Sequence, residues 1–98
     1  MSVVFTQKAL DDLLAHDDRQ IAIGSKLRAS SLILDGAERL VHFPNWGPLV
    51  SDTALSARGF RKLLCSPYVA YYRVNDAGDV VVYRVFHQRE DYTRKTVE

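Results

Sequence analysis

The sequence predicts an α+β fold, an N-terminal helical hairpin packed on a small antiparallel sheet. Two observations carry this expectation. Residues 68–74 and 79–86 are runs of β-branched and aromatic residues, separated by the turn formers of Asn75-Asp76-Ala77-Gly78, so the pair reads as an antiparallel hairpin. Upstream, Ala9, Leu10, Leu13 and Leu14 recur at helical spacing, and a second apolar stripe follows at Ile23, Leu27, Leu34, Ala37 and Val41.

Taken in order, residues 3–5 are a short apolar run and read as a strand. Thr6 is placed as the N-cap of a first helix, with Asp11 and Asp12 toward its favourable N-terminal half. That helix is expected to end near His16. Asp17 or Asp18 then caps a second, much longer helix, which Gly24 and Gly36 each weaken by about 1 kcal/mol relative to Ala; Gly36 is a possible early end. Pro44 and Pro48 disfavour helix at Phe43 and Gly47, so His42 to Pro48 starts a loop. Residues 49–58, polar and small, continue as a loop that approaches the sheet. A third strand, Phe60 to Cys65, precedes the hairpin after a Ser66-Pro67 break. Strict alternation sets Phe60, Lys62 and Leu64 opposite Arg61, Leu63 and Cys65. It sets Tyr68, Ala70, Tyr72 and Val74 opposite Val69, Tyr71 and Arg73, and Val81, Tyr83, Val85 and His87 opposite Val80, Val82, Arg84 and Phe86. Both faces of the sheet carry apolar residues. One is expected to pack on the helices and the other to be concave or partly covered, with aromatics and arginines on it.

With 98 residues the chain reads as a single domain, 1–98, and 47% apolar content is enough for one core. No run of about 18 apolar residues is present, and residues 1–5 lack the basic and apolar regions of a secretory signal, so a cytoplasmic protein with no membrane partner is expected. Cys65 is the only cysteine, which excludes an internal disulfide and makes a zinc cluster an unfavoured reading; no metal or other cofactor is expected. The net charge is +1, with five basic and six acidic side chains through Leu49 and eight basic and six acidic after it. A protein that binds nucleic acid mainly through phosphates carries a stronger basic excess.

Four segments in order, VVFTQKALDDL, LVHFPNWG, GFRKLLCSPYVAYYRV and VVVYRVFHQREDY, resemble the opening strand and helix, the helix-end L..FP..G element, the R.L....Y...YR. strands and the H.R.D exit of the RelE/ParE superfamily of toxins from bacterial type II toxin-antitoxin modules. The resemblance covers nearly the whole chain. It implies two N-terminal helices packed on a twisted, mostly antiparallel sheet with the first strand pairing inside it. It also implies a growth-inhibiting toxin held inactive by a cognate antitoxin.

The superfamily supports two mechanisms. RelE-like members cut messenger RNA on the translating ribosome by attack of a ribose 2′-OH on the adjacent phosphate, which needs a base, a cation and an acid. By resemblance Arg61 would be the cation, His87 the acid or base, Arg89 a second cation, and Tyr92 a stacking or proton-transfer group. The chain lacks the lysine cluster that strongly basic RelE members carry before that arginine. ParE-like members instead poison DNA gyrase and need no such set. The FPNWG element, the His87-Arg89-Asp91 exit and the near-neutral charge favour this branch.

Plainer roles stand beside these. Arg61 and Arg89 can serve as ion-pair partners of Glu90 or Asp91, and His87 as a hydrogen-bonded strand-end residue. Tyr68, Tyr71, Tyr72 and Tyr83 form either a platform for bases or, more commonly, core and cross-strand pairs. Trp46 either plugs the edge of the core or contacts a partner. Asp11, Asp12, Asp17 and Asp18 read as helix-end charges and a solvated face. A Cys65–His87 nucleophile pair has no third group to orient it.

Overall fold

A computed structural model describes residues 2–90; Asp91 and Tyr92 lie outside the described residues. The elements are β1 (Val3–Phe5), α1 (Gln7–Ala22), α2 (Ala29–His42), α3 (Thr53–Ala57), β2 (Arg61–Cys65), β3 (Tyr68–Val74) and β4 (Val80–His87). The four strands form one sheet in the order β1-β4-β3-β2, antiparallel except for the parallel β1–β4 pair. The first strand therefore joins the sheet, but from its edge rather than inside it. Ser66-Pro67, a cis peptide, forms the turn between β2 and β3.

The sheet has a core on each face. Ala9, Leu13, Ala29, Ile33 and Leu40 of the helices pack on Leu63, Tyr68, Ala70, Tyr72, Val80, Val82 and Val85. On the opposite face Phe60, Val69, Tyr71 and Phe86 gather with Val50, and Leu55 and Tyr83 close over them. Residues 49–58 are thus not simply a loop. Asp52 accepts a 2.9 Å hydrogen bond from the Leu55 amide and caps α3, which brings Leu55 onto this second core.

Simple alternation holds along β2 and β3 and fails in β4. Tyr71 pairs with Arg84 but Tyr72 pairs with Val82, leaving Tyr83 as an extra residue. This β-bulge reverses the phase, so Val80, Val82 and Val85 all reach the helix-side core, while Tyr83 and Phe86 join the other.

The helices depart further from expectation. Thr6 does cap α1, accepting from the Ala9 amide at 3.1 Å. But α1 runs on to Ala22, past His16, and is the longer of the two at 16 residues against 14 for α2. The expected stripe holds only in part: Ala37 is buried and Leu27 packs against the core, but Ile23 lies in the connection and is exposed with Leu34, and the buried face of α2 is Ala29, Ile33, Gly36, Ala37 and Leu40. Asp17 still caps the second helix, but from inside α1. Its carboxylate accepts from the amide and hydroxyl of Ser30, in the first turn of α2, where Arg28 offers no side-chain cap.

Asp12 is no solvated helix charge either. β1 ends at Phe5, opposite Val82, so β4 projects beyond it with a bare edge. Asp12 fills that edge, accepting from the Val85 amide at 2.9 Å and from Arg84 Nε at 2.7 Å. The bonds raise the Arg84 pKa, its hydrogen bond with Asp12 being the largest cause. Truncating Asp12 to Ala leaves the Val85 amide without its partner and is expected to cost about 1–3 kcal/mol; Asn, which still accepts, should cost less. Urea denaturation of the two variants reads the difference.

Gly36 does not end α2. It lies inside the helix, where a Cβ would stand 2.5 Å from Cys65 Sγ and 2.9 Å from Leu63 Cδ2. Gly36→Ala is therefore expected to destabilise the fold by about 1–3 kcal/mol despite Ala's better helix propensity. Adding Cys65→Ala should recover part of that loss in the same thermal melts.

Candidate functional site

The far end of the sheet gathers His16, Tyr68, His87 and Glu90. β3 begins at Tyr68 and β4 ends at His87, and these two residues pair directly. Tyr68 stands between the two imidazoles, with ring centroids 5.0 Å from His16 and 5.6 Å from His87. His87 Nδ1 accepts from the Arg89 amide at 3.1 Å, which places the proton of the neutral ring on Nε2. Glu90 Oε1 accepts from the His87 amide at 2.9 Å and lies 3.8 Å from His16 Nε2, which itself donates to the Val85 carbonyl at 3.0 Å. The Tyr68 hydroxyl is buried and has no hydrogen-bond partner among the described residues.

Arg61 stands at the other end of the ladder. It pairs with Tyr72, whereas Cys65 pairs with Tyr68 and Tyr68 with His87. Four residue steps therefore separate its rung from that of His87, about 13 Å at strand rise, and two strand spacings add about 10 Å sideways. The Arg61 guanidinium donates from Nη1 to the Gly47 carbonyl at 2.8 Å. Tyr72 completes the clamp: its hydroxyl donates to the Pro44 carbonyl at 2.9 Å and accepts from the Gly47 amide at 3.0 Å. Burial pushes the Tyr72 phenol above its usual pKa, against smaller opposing effects of the Gly47 amide and Arg61. Gly47 itself admits no side chain, since a Cβ would lie 2.2 Å from the Lys62 carbonyl oxygen.

Of the four residues named from the sequence, the fold brings His87 and Arg89 together and sets Arg61 apart; Tyr92 lies outside the described residues. Arg89 is exposed. Burial, the largest influence, pushes the Cys65 thiol pKa up, which disfavours a thiolate. Among the described residues, no group of three or more His, Cys, Asp or Glu is arranged to hold a metal ion, and no helix is long and apolar enough to cross a membrane.

Two features were not resolved by sequence reasoning. Arg58 and Arg73 both stand over the Phe60 ring, at 5.3 and 5.4 Å, and Arg84 stands over Phe86 at 4.8 Å. Alternation showed arginines and aromatics sharing a face but not which would stack. Trp46 is 61% exposed, with Phe43 beside it at a 6.0 Å centroid separation, so it does not plug the core.

A family model for the ParE toxin of the type II toxin-antitoxin system parDE matches residues 3–92. The chain belongs to this family. It is a toxin of the RelE/ParE superfamily, and its fold agrees with that of solved relatives. One is a chain of the chromosomal ParDE TA system from P. aeruginosa, 26% identical, with a TM-score of 0.70 and coverage of 89% of this chain and 95% of that one. Another is from the toxin-antitoxin complex RelBE2 of Mycobacterium tuberculosis, 25% identical, with a TM-score of 0.62 and coverage of 88% and 95%. No curated protein matches the sequence.

The clamp gives a direct test of what holds the toxin's 43–48 loop. Tyr72→Phe removes both bonds and leaves the buried Gly47 amide unpaired, with an expected loss of about 1–3 kcal/mol. Fluorescence of Trp46, the chain's only tryptophan, should report a looser loop in that variant.

Proposed function

We propose that this toxin acts in the cytoplasm as a ParE-like inhibitor of DNA gyrase, by binding rather than by a chemical step, and that a cognate antitoxin neutralises it. The engagement of Arg61 carries the reading. A phosphoryl-cleaving site needs its cation and its acid–base group converging on one phosphate, within hydrogen-bond reach. Here one nitrogen of the Arg61 guanidinium donates to the Gly47 carbonyl, and its rung is four steps from that of His87. The match to the ParE family model and the near-neutral charge support the same branch. The antitoxin follows from relatives solved as, or named for, toxin-antitoxin pairs.

The alternative is a RelE-like ribosome-dependent mRNA endoribonuclease. The pairing of His87 Nδ1 with the Arg89 amide favours it, because it fixes one ring nitrogen against the backbone of an exposed arginine. In that mechanism Arg61, His87, Arg89 and Tyr92 would be the catalytic set.

Inducing the gene alone, in cells without its antitoxin, separates the two. Under the gyrase reading, thymidine incorporation falls before amino acid incorporation and an SOS response follows. His87→Ala then leaves toxicity largely intact. Immediate collapse of translation with continuing DNA synthesis, or loss of toxicity in a folded, antitoxin-binding His87→Ala protein, replaces it with the nuclease reading.

A further inference from the structure

The sheet face covered by α3 carries two arginines on one aromatic ring. α3 ends on Arg58, and Gly59, at φ +85°, turns the chain back toward β2. The Arg58 guanidinium carbon then stands over the Phe60 ring at 5.3 Å. Arg73 of β3 reaches the same ring at 5.4 Å and the Tyr83 ring at 5.7 Å. Its Nη2 donates to the Tyr83 hydroxyl at 3.3 Å, which restrains the plane of the guanidinium.

A charge drawn away from water is ordinarily met by an opposite one. Arg73 is half-buried and makes no ion pair among the described residues. Two rings and one phenol oxygen face its charge, a weaker environment than an anion supplies. Beside the two arginines lies a cleft of about 280 Å³, lined by Arg58, Arg73, Val74, Asn75 and Asp76. Asn75 accepts from the Asp79 amide through Oδ1 at 2.9 Å, and its NH2 has no acceptor among the described residues. Asp76 is exposed on the hairpin turn and makes no ion pair with Arg73.

We propose that Arg58 and Arg73 form a recognition site for an acidic side chain that gyrase presents to the toxin. The chemistry selects the ligand class. A guanidinium fork and a carboxylate match edge to edge, and the second arginine keeps the cleft positive against Asp76. A nucleic acid asks for more, a line of cations along its backbone and open aromatic faces for its bases. Here Phe60 is fully buried and the net charge is only +1. The inference rests on the gyrase reading above and adds to it a surface that holds the target.

The test uses the toxin purified from its antitoxin complex, with gyrase inhibition read in a DNA supercoiling assay. Arg58→Glu and Arg73→Met should each raise the toxin concentration needed for half inhibition by about tenfold or more. Arg58 is exposed, and Met keeps an apolar stem on the rings at position 73, so both variants should fold; thermal melts check this. Arg73→Lys keeps the charge without the fork and should fall between wild type and Arg73→Met. Wild-type inhibition by either folded variant overturns the proposal, whether or not antitoxin binding changes. So does binding of a gyrase-free DNA duplex that both substitutions abolish, since the anion is then a phosphate. If the wild-type toxin leaves supercoiling untouched, the gyrase reading itself fails, an outcome distinct from the first two.

Discussion

The structure depends on how the free edge of β4 is satisfied. β1 is three residues long and reaches only to Val82. Beyond it the longest strand of the sheet would present bare amides and carbonyls, which is costly when buried and a template for aggregation when exposed. Side chains of the entry to α1 and of α1 itself take over where the strand stops. Thr6 donates its hydroxyl to the Tyr83 carbonyl, Asp12 accepts from the Val85 amide, and His16 donates to the Val85 carbonyl. The helix is therefore fastened along the sheet edge as well as packed on the sheet face. That fixes the hairpin, the bulged strand and the His87 terminus in one frame.

The same economy of contacts engages side chains that the resemblance to ribonuclease members singles out. Among the described residues, Arg61 and His87 each have a structural partner. Arg61 holds a loop, Tyr72 holds the same loop from the core, and the His87 ring is fixed by the Arg89 amide and by the ring of Tyr68.

Much of the fold was legible in the sequence because strand periodicity is local. The runs that became β2, β3 and β4 were marked by their residue types, and the Asn75 to Gly78 turn separated the last two. The faces of β2 and β3 followed from alternation alone. What was not legible depended on contacts between distant residues. The bulge at Tyr83 needs the register of two strands against each other. The extent of α1 was concealed because Asp17 resembles a cap for a following helix and is one, but across the hairpin rather than along the chain. α3 has five residues and one substantial apolar anchor, too little for a periodic signal. The site residues could be named by type, but their placement could not be foreseen: nothing local tells Arg61 where the Gly47 carbonyl will lie.

The borrowed cap has an evolutionary consequence for the link between the helices. The register of α2 is set by a carboxylate on α1 and by burial against the sheet, so within residues 23–28 only Leu27, which packs against the core, does more than span the gap. A connection relieved of that task can change length and composition at little cost, because loop closure depends only weakly on length. The two helices, by contrast, are gained or lost together. Divergence in this toxin's lineage can therefore reshape the tip of the hairpin freely, while Asp17 and Ser30 must change in concert.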